Sequence, residues 1–236
     1  MGALAAMTLL ETSGLTRRFG GLTAVDTVDF ALPEGQVHAL IGPNGAGKST
    51  FVGMVSGRIE ASSGSVTFDG RDVTGLPAHR RIQAGMAYTF QITSIYARLS
   101  LYENIALAVR RRDRAAGRAV LDRVGLADRG DQIAGDLSYG HQRLLEIAMG
   151  VAQAPRLLIL DEPTQGLAES EVEGFNAIIN GLRGETTILL IEHNMNVVMA
   201  LADAITVLDQ GAVLATGSPA EIRANAAVQA AYLGSG

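Results

Sequence analysis

Cysteine is absent from the sequence, which excludes a disulfide framework and a metal site built on thiolates. A surplus of positive charge is also absent, and the net charge of -5 argues against a broad nucleic-acid-binding surface. No apolar run approaches the roughly 18 to 20 residues of a membrane span, and residues 1–7 lack the charged start of a signal peptide. These absences predict a cytoplasmic chain, so any membrane partner is a separate chain. The 47% of hydrophobic residues predicts a sizeable packed core.

Lysine is nearly absent too, because Lys48 is the only one in 236 residues. It lies in a run that fits the phosphate-binding pattern G-x-x-x-x-G-K-[ST], in which backbone N–H groups surround an anion. Lys48 is predicted to reach the β- and γ-phosphates, and the Ser49 hydroxyl to bind Mg²⁺. The residues of this loop that we expect to bind nucleotide are Gly42, Asn44, Gly45, Ala46, Gly47, Lys48, Ser49 and Thr50.

The sequence around this loop predicts a strand before it and a helix after it. Residues 37–41 are a short apolar run typical of a buried strand, and residues 51–55 continue as an apolar helix. Strand, glycine-rich loop and helix together are the arrangement in which the pattern binds phosphate. A glycine-rich turn that fits the pattern by coincidence is the weaker alternative.

The order of predicted elements indicates an α/β fold with a parallel sheet. Residues 8–35 and 64–73 alternate as antiparallel strands do, with a hairpin turn at Asp69-Gly70. The region 96–152 is mainly helical and is predicted to be an inserted lobe. We expect one domain over 8–236 after an N-terminal extension of residues 1–7. The remaining predictions are helices at 76–84, 101–114, 118–124, 140–153, 169–182, 219–225 and 226–233, and strands at 157–160, 187–191, 205–208 and 212–215.

Two carboxylates end the apolar strand predicted at 157–160. Open α/β sheets bind ligands beyond the carboxyl ends of their strands, so Asp161 and Glu162 are expected near the phosphate loop. Asp161 is predicted to support Mg²⁺. Glu162 is predicted to orient or deprotonate the water that attacks the γ-phosphate. A pair of solvated carboxylates is the alternative, and the phosphate loop weakens it.

With these two motifs the chain resembles the ATP-binding cassette ATPases, which have a P-loop NTPase (RecA-like) core. The resemblance implies that Phe19 stacks on adenine with Val25 beside the ring. It implies that Gln91 contacts Mg²⁺ and the membrane subunit, and that Glu162 is the catalytic carboxylate. It also implies that His193 is the switch histidine that contacts the γ-phosphate.

The segment 137–141, Leu-Ser-Tyr-Gly-His, resembles the family's signature loop, usually Leu-Ser-Gly-Gly-Gln. The resemblance implies that Ser138 and the backbone of Gly140 bind the ATP of a second ATPase subunit in a head-to-tail dimer. The chain departs from the family at Tyr139, at His141 and at Ala168, where an aspartate is usual. These departures leave the hydrolysis rate and the symmetry of the two ATP sites open.

The run 191–195, Ile-Glu-His-Asn-Met, and the segments 15–25 and 230–234 are similar to those of branched-chain amino-acid importer ATPases. This implies an ATPase with ATP and Mg²⁺ as cofactors, peripheral on the cytoplasmic face of the membrane. Transmembrane permease subunits are the implied direct partners, a periplasmic or extracellular binding protein is an indirect one, and nucleic acid is not a partner. Residues 92–99 are predicted to dock on the permease, or else to pack inside the lobe.

The sequence leaves two other functions to consider. A degenerate nucleotide-binding switch that hydrolyses little ATP and pairs with a more active paralogue would explain Ala168 and the altered signature, but Lys48, Glu162 and His193 are intact. A soluble cassette ATPase of DNA repair or translation has no support, because the sequence contains no long coiled coil, no second cassette and no excess of basic residues.

Overall fold

The computed structural model describes residues 7–89, 95–109 and 113–233. The strands within these ranges are β1 (Thr8–Phe19), β2 (Leu22–Pro33), β3 (Val37–Ile41), β4 (Ser63–Phe68), β5 (Arg71–Asp72), β6 (Met86–Thr89), β7 (Leu157–Asp161), β8 (Thr187–Ile191), β9 (Ala204–Asp209) and β10 (Ala212–Gly217). The helices are α1 (Lys48–Val55), α2 (Ala78–Gln83), α3 (Leu101–Val109), α4 (Arg114–Arg123), α5 (Tyr139–Ala152), α6 (Glu169–Leu182), α7 (Met195–Leu201), α8 (Pro219–Ala224) and α9 (Ala226–Leu233).

The N-terminal strands form an antiparallel sheet in the order β2-β1-β4-β5. Buried and exposed residues alternate along much of β2 and β4, as expected for strands with one face on the core. The turn between β4 and β5 has positive φ at both Asp69 and Gly70, which is the backbone that an Asp-Gly hairpin prefers.

The second sheet has the order β10-β9-β3-β8-β7-β6, and only its terminal β9–β10 pair is antiparallel. Every residue of β3, β7 and β8 is buried, as in a parallel sheet covered on both faces. Alternate residues of β7 lie on opposite faces of the sheet. Leu157 and Ile159 pack with α1 and the antiparallel sheet, whereas Leu158 and Leu160 pack with α5, α6 and α7. This architecture confirms the predicted fold class.

The region between β6 and β7 contains α3, α4 and α5, which share an apolar cluster that includes Leu101, Leu121 and Leu145. The prediction of one helix over 101–114 is wrong. Asp113 has an extended backbone, and its side chain accepts hydrogen bonds from the N–H groups of Ala115 and Ala116, so a new helix begins there. No helix in the described part of the chain has both the length and the apolar character to cross a bilayer.

His38 in β3 is buried, and its Nε2 lies 2.8 Å from the Thr206 hydroxyl. Burial lowers the pKa of His38 from 6.5 to about 4, with a partly opposing effect of the Asp203 charge. Between these two pH values His38 is therefore protonated in the unfolded chain and neutral in the folded chain. The unfolding free energy is not reduced by this effect above pH 6.5, and it falls as the pH drops from 6.5 towards 4.

We expect this histidine to cost about 3 kcal/mol of unfolding free energy over that pH window. The measurement is urea unfolding at pH 7 and pH 4.5 of the wild type and of the His38→Gln variant, whose stability should fall less on acidification. His79→Gln, at an exposed position, is the matched control. Equal losses in all three proteins would contradict the assignment.

Candidate functional site

The phosphate loop connects β3 to α1 and is pressed against its neighbours. Gly42 has φ 152°, and a Cβ there would lie 2.1 Å from the carbonyl oxygen of Leu208 in β9. Gly47 has φ 97°, and a Cβ there would lie 2.5 Å from the carbonyl oxygen of Ala24 in β2. Both positions therefore require glycine, which is the physical reason for the two glycines that open and close the motif.

The Lys48 side chain is turned back onto the loop. Its ammonium donates hydrogen bonds to the carbonyl oxygens of Gly42 at 2.6 Å and Pro43 at 3.1 Å. Burial lowers the pKa of Lys48, while the negative charges of Glu162 and Asp161 raise it. These two carboxylates stand at the end of β7, and Glu162 lines the same cavity as Lys48. Ser49 is exposed beside it.

Asp161 and Glu162 differ in their surroundings. Asp161 is 6% exposed, and its carboxylate accepts a short hydrogen bond from the Tyr88 hydroxyl of β6. Burial and this hydrogen bond raise the pKa of Tyr88, so the phenol stays a donor. Glu162 has a left-handed backbone with φ 47°, and its N–H donates to the Ile191 carbonyl at 2.9 Å. The hydrogen bond to Asp161 gives Tyr88 a place in the site that no sequence motif indicated.

A cavity of about 530 Å³ lies over the phosphate loop. Glu162 lines it opposite the loop residues Asn44 to Thr50, so the structure brings the two strongest predicted motifs into one space. The cavity residues that the sequence reasoning missed are Leu22, Thr23, Ala24, Gln210 and Gly211. They belong to two hairpins, and nothing in their residue types marks them as ligand contacts.

The residues predicted to hold adenine occupy different environments. Phe19, at the end of β1, is 45% exposed, and the Arg17 guanidinium lies 4.5 Å from the centre of its ring. Val25 is fully buried, and its side chain packs beneath Gly47. In this structure Leu22 to Ala24, rather than Val25, form the wall of the cavity on that side.

The signature-like segment begins α5. Ser138 caps this helix, and its hydroxyl lies 2.8 Å from Nδ1 of His141. The Tyr139 ring covers Gly166 in the loop after Glu162, and Arg143 donates to the Glu162 carbonyl at 3.4 Å. Ser138 and Gly140 are not among the described residues that line the cavity.

Ala168 is the N-cap of α6, but a methyl group cannot accept the hydrogen bond that an aspartate would. The helix begins there all the same: the Glu171 N–H donates to the Ala168 carbonyl at 3.0 Å, and the Glu171 carboxylate accepts from the Ala168 N–H at 2.9 Å. The same carboxylate occupies the space beside the Gly140 α-carbon. The departure at Ala168 therefore leaves the start of the helix intact.

His193 follows β8, and its side chain is 57% exposed. It lies next to Glu192, a fully buried carboxylate whose Oε2 is 4.0 Å from the His193 Nδ1. His193 is not among the described residues lining the cavity. Gln91, which the sequence predicted to contact metal, lies outside the described residues.

Comparison with known proteins agrees with the geometry. Residues 25–165 match the ABC transporter family, and residues 212–236 match a family described as branched-chain amino acid ATP-binding cassette transporter. The chain is 41% identical to the high-affinity branched-chain amino acid transport ATP-binding protein BraF of Pseudomonas aeruginosa, over 96% of this chain and 98% of that protein. It is 39% identical, with the same coverage, to the corresponding protein LivG of Salmonella typhimurium.

Solved structures show the same fold. A nucleotide-free ATP-binding cassette from an ABC transporter superimposes with a TM-score of 0.86 at 25% identity, covering 96% of this chain and 99% of that one. The ADP conformation of an ATP-binding cassette of an ABC transporter gives 0.86 at 26% identity, covering 97% and 99%.

Proposed function

Because the chain belongs to the ATP-binding cassette family of transporter ATPases, we propose that it is the ATP-hydrolysing subunit of an importer for branched-chain or related amino acids. The observation that carries the proposal is the cavity in which Glu162 faces the phosphate loop. The relatives' names support the choice of cargo.

The chain's own side chains account for the steps of hydrolysis. Lys48 exchanges its contacts with the loop carbonyls for the β- and γ-phosphates, which restores hydrogen bonds to its buried ammonium. Glu162 takes a proton from the water whose oxygen attacks the γ-phosphorus, and ADP leaves. His193, exposed at the end of β8, contacts the γ-phosphate and stabilises the charge of the transition state.

The residues present fit a magnesium ion. Mg²⁺ prefers oxygen ligands, and the exposed Ser49 hydroxyl and the buried Asp161 carboxylate would hold it; Gln91, the further ligand expected from the sequence, lies outside the described residues. When bound, the ion neutralises charge on the phosphates. Tyr88 holds one oxygen of Asp161, which orients the carboxylate.

The position of the signature-like segment supports a head-to-tail dimer. Ser138 and Gly140 are not among the described residues that line the chain's own cavity, and the N-terminus of α5 is suited to an anion supplied by a second subunit. In such a dimer each ATP binds the phosphate loop of one subunit, and its adenine stacks on Phe19 of that subunit. Ser138 of the other subunit contacts the same ATP. The degenerate alternative is not proposed, since Lys48, Glu162 and His193 are intact and the relatives are transport ATP-binding proteins.

An exposed apolar group on the helical region supports a contact with permease subunits. Tyr96, Leu107 and Ile133 are 54%, 50% and 41% exposed. Leu107 lies in α3, the Tyr96 N–H donates to Asn104 of α3, and Ile133 pairs with Ser100, the residue before α3. Ile95 instead packs against the apolar cluster of the lobe. We propose that this contact holds the chain at the cytoplasmic face of the membrane, where the permease links it to an external binding protein.

Uptake of radiolabelled leucine tests the proposal in the source cell. We expect deletion of the gene for this chain to abolish ATP-dependent uptake through this importer, and wild-type chain to restore it. Glu162→Gln should not restore uptake, whereas Glu173→Gln, an exposed carboxylate, should. Uptake that is the same in all strains, together with ATPase activity of the purified chain, would contradict the amino-acid assignment and leave the ATPase assignment standing.

A further inference from the structure

Glu192 is the most deeply buried carboxylate at the edge of the sheet that holds the site, with 0% of its surface exposed. One oxygen, Oε1, accepts hydrogen bonds from the N–H of Thr164 at 3.0 Å and from the Thr164 hydroxyl. The other oxygen, Oε2, accepts from the N–H groups of His193 at 2.9 Å and Asn194 at 3.0 Å. Each oxygen is therefore hydrogen-bonded to a different loop.

A buried carboxylate is costly unless donors surround it. Four donors directed at Glu192 satisfy both oxygens, and no neutral side chain of this shape can accept four hydrogen bonds in this arrangement. In glutamine one end becomes an NH₂ donor, which would face N–H groups that are also donors. Only a carboxylate can therefore accept from both loops at this position.

The two loops carry the two side chains proposed to act on the γ-phosphate. Asp161 and Ile191 are paired across β7 and β8, and the Glu162 N–H continues this ladder by donating to the Ile191 carbonyl. Thr164 is two residues after Glu162, and His193 is the next residue after Glu192. Glu192 therefore adds a second link between the two loops, just beyond the last backbone hydrogen bond of the sheet.

We propose that Glu192 is a positioning residue that joins the loop after Glu162 to the loop of His193, so that both side chains approach the γ-phosphate as one unit. The proposal rests on the proposed function, because it concerns the residues of that ATPase site. The same connection reaches the start of α7, since Asn194 caps this helix.

The first test is Glu192→Gln, measured by steady-state ATPase kinetics and equilibrium ATP binding. We expect kcat to fall by about 10- to 100-fold, as when a supporting partner of a reactive side chain is lost. The KM for ATP should change less than about twofold, because Lys48 and the phosphate loop are untouched. Glu173→Gln, an exposed glutamate, is the matched control and should keep wild-type values.

The second test leaves the carboxylate in place and changes its partner. Thr164 is 6% exposed. Thr164→Val keeps its shape but removes the hydroxyl donor, whereas Thr164→Ser keeps the donor and loses a methyl. We expect Thr164→Val to lower kcat in the same direction as Glu192→Gln, and Thr164→Ser to retain most of the wild-type kcat. Combined with Glu192→Gln, Thr164→Val should add little, since both break one connection.

The outcomes separate the possible failures. If kcat per folded molecule is unchanged in Glu192→Gln and Thr164→Val while their thermal stability falls, the carboxylate is only structural and the proposal is wrong. If Glu192→Gln does not fold, the valine and serine variants decide, and equal kcat in those two overturns the proposal. A wild-type chain without ATPase activity overturns the proposed function as well.

Discussion

Replacing Lys48 by alanine is expected to weaken ATP binding by about 10- to 100-fold and to remove measurable ATPase activity. Hydrogen bonds to a charged group contribute about 1.5 to 3 kcal/mol each, and each 1.4 kcal/mol is about tenfold in affinity. Lys48 is the only lysine of the chain and is 9% exposed in the wall of the cavity. Equilibrium binding of a fluorescent ATP analogue measures the loss.

The same variant separates binding from folding. Because the Lys48 ammonium donates to two loop carbonyls in the absence of nucleotide, the unfolding free energy of Lys48→Ala without nucleotide is measured beside its ATP affinity. Lys48→Arg should restore binding only in part, because a planar guanidinium does not occupy the space of a compact ammonium between the Gly42 and Pro43 carbonyls. Arg118→Ala, at an exposed position, removes the same charge and should bind ATP normally. Unchanged ATP affinity in Lys48→Ala would refute the phosphate-loop assignment.

The parts of the fold that the sequence predicted well have a strong local signal. The strands β3, β7 and β8 are continuous apolar runs, and α6 lies over the predicted range 169–182 because its periodicity and length are clear. The loop glycines were also predictable, since their backbone angles and contacts admit no side chain. Each of these depends on a few consecutive residues.

The elements that were missed depend on contacts distant in sequence. Strand β6 is only four residues long and exists because it pairs with β7, far along the chain. Helix α7 has seven residues and begins with the cap from Asn194, whose N–H is held by Glu192. Both are too short for periodicity to distinguish them from loop.

In the candidate site, too, residues within a local motif were predictable, and residues brought in by distant contacts were not. The types of Lys48, Asp161 and Glu162 could be read from motifs, and the structure places all three together. Tyr88 and the hairpin residues Leu22 to Ala24 reach the site only through packing of one element on another, which no local pattern encodes. Val25 fits the family pattern in sequence, yet its side chain is buried in the core under the loop.

Replacing Glu162 by glutamine is expected to lower kcat by about 10²- to 10⁴-fold, the usual contribution of a general base. The amide can hold the attacking water but cannot accept its proton. ATP affinity should be preserved, because Lys48 and the loop are unchanged. ATP should therefore stay bound, and a nucleotide-dependent dimer should elute ahead of the monomer in size-exclusion chromatography. Single-turnover hydrolysis and the elution volume with ATP or ADP measure both effects.

The substitution is informative because the backbone at Glu162 is held independently of its side chain. The Glu162 N–H donates to Ile191, and its carbonyl oxygen accepts from Arg143, so glutamine should keep the left-handed conformation at φ 47°. A change in kcat then reports on the carboxylate itself rather than on the loop. Glu169→Gln, an exposed carboxylate at the start of α6, is the control and should retain activity. Wild-type turnover by Glu162→Gln would instead assign the proton transfer to another group, and His193, exposed at the end of the adjacent strand, would be the first to replace.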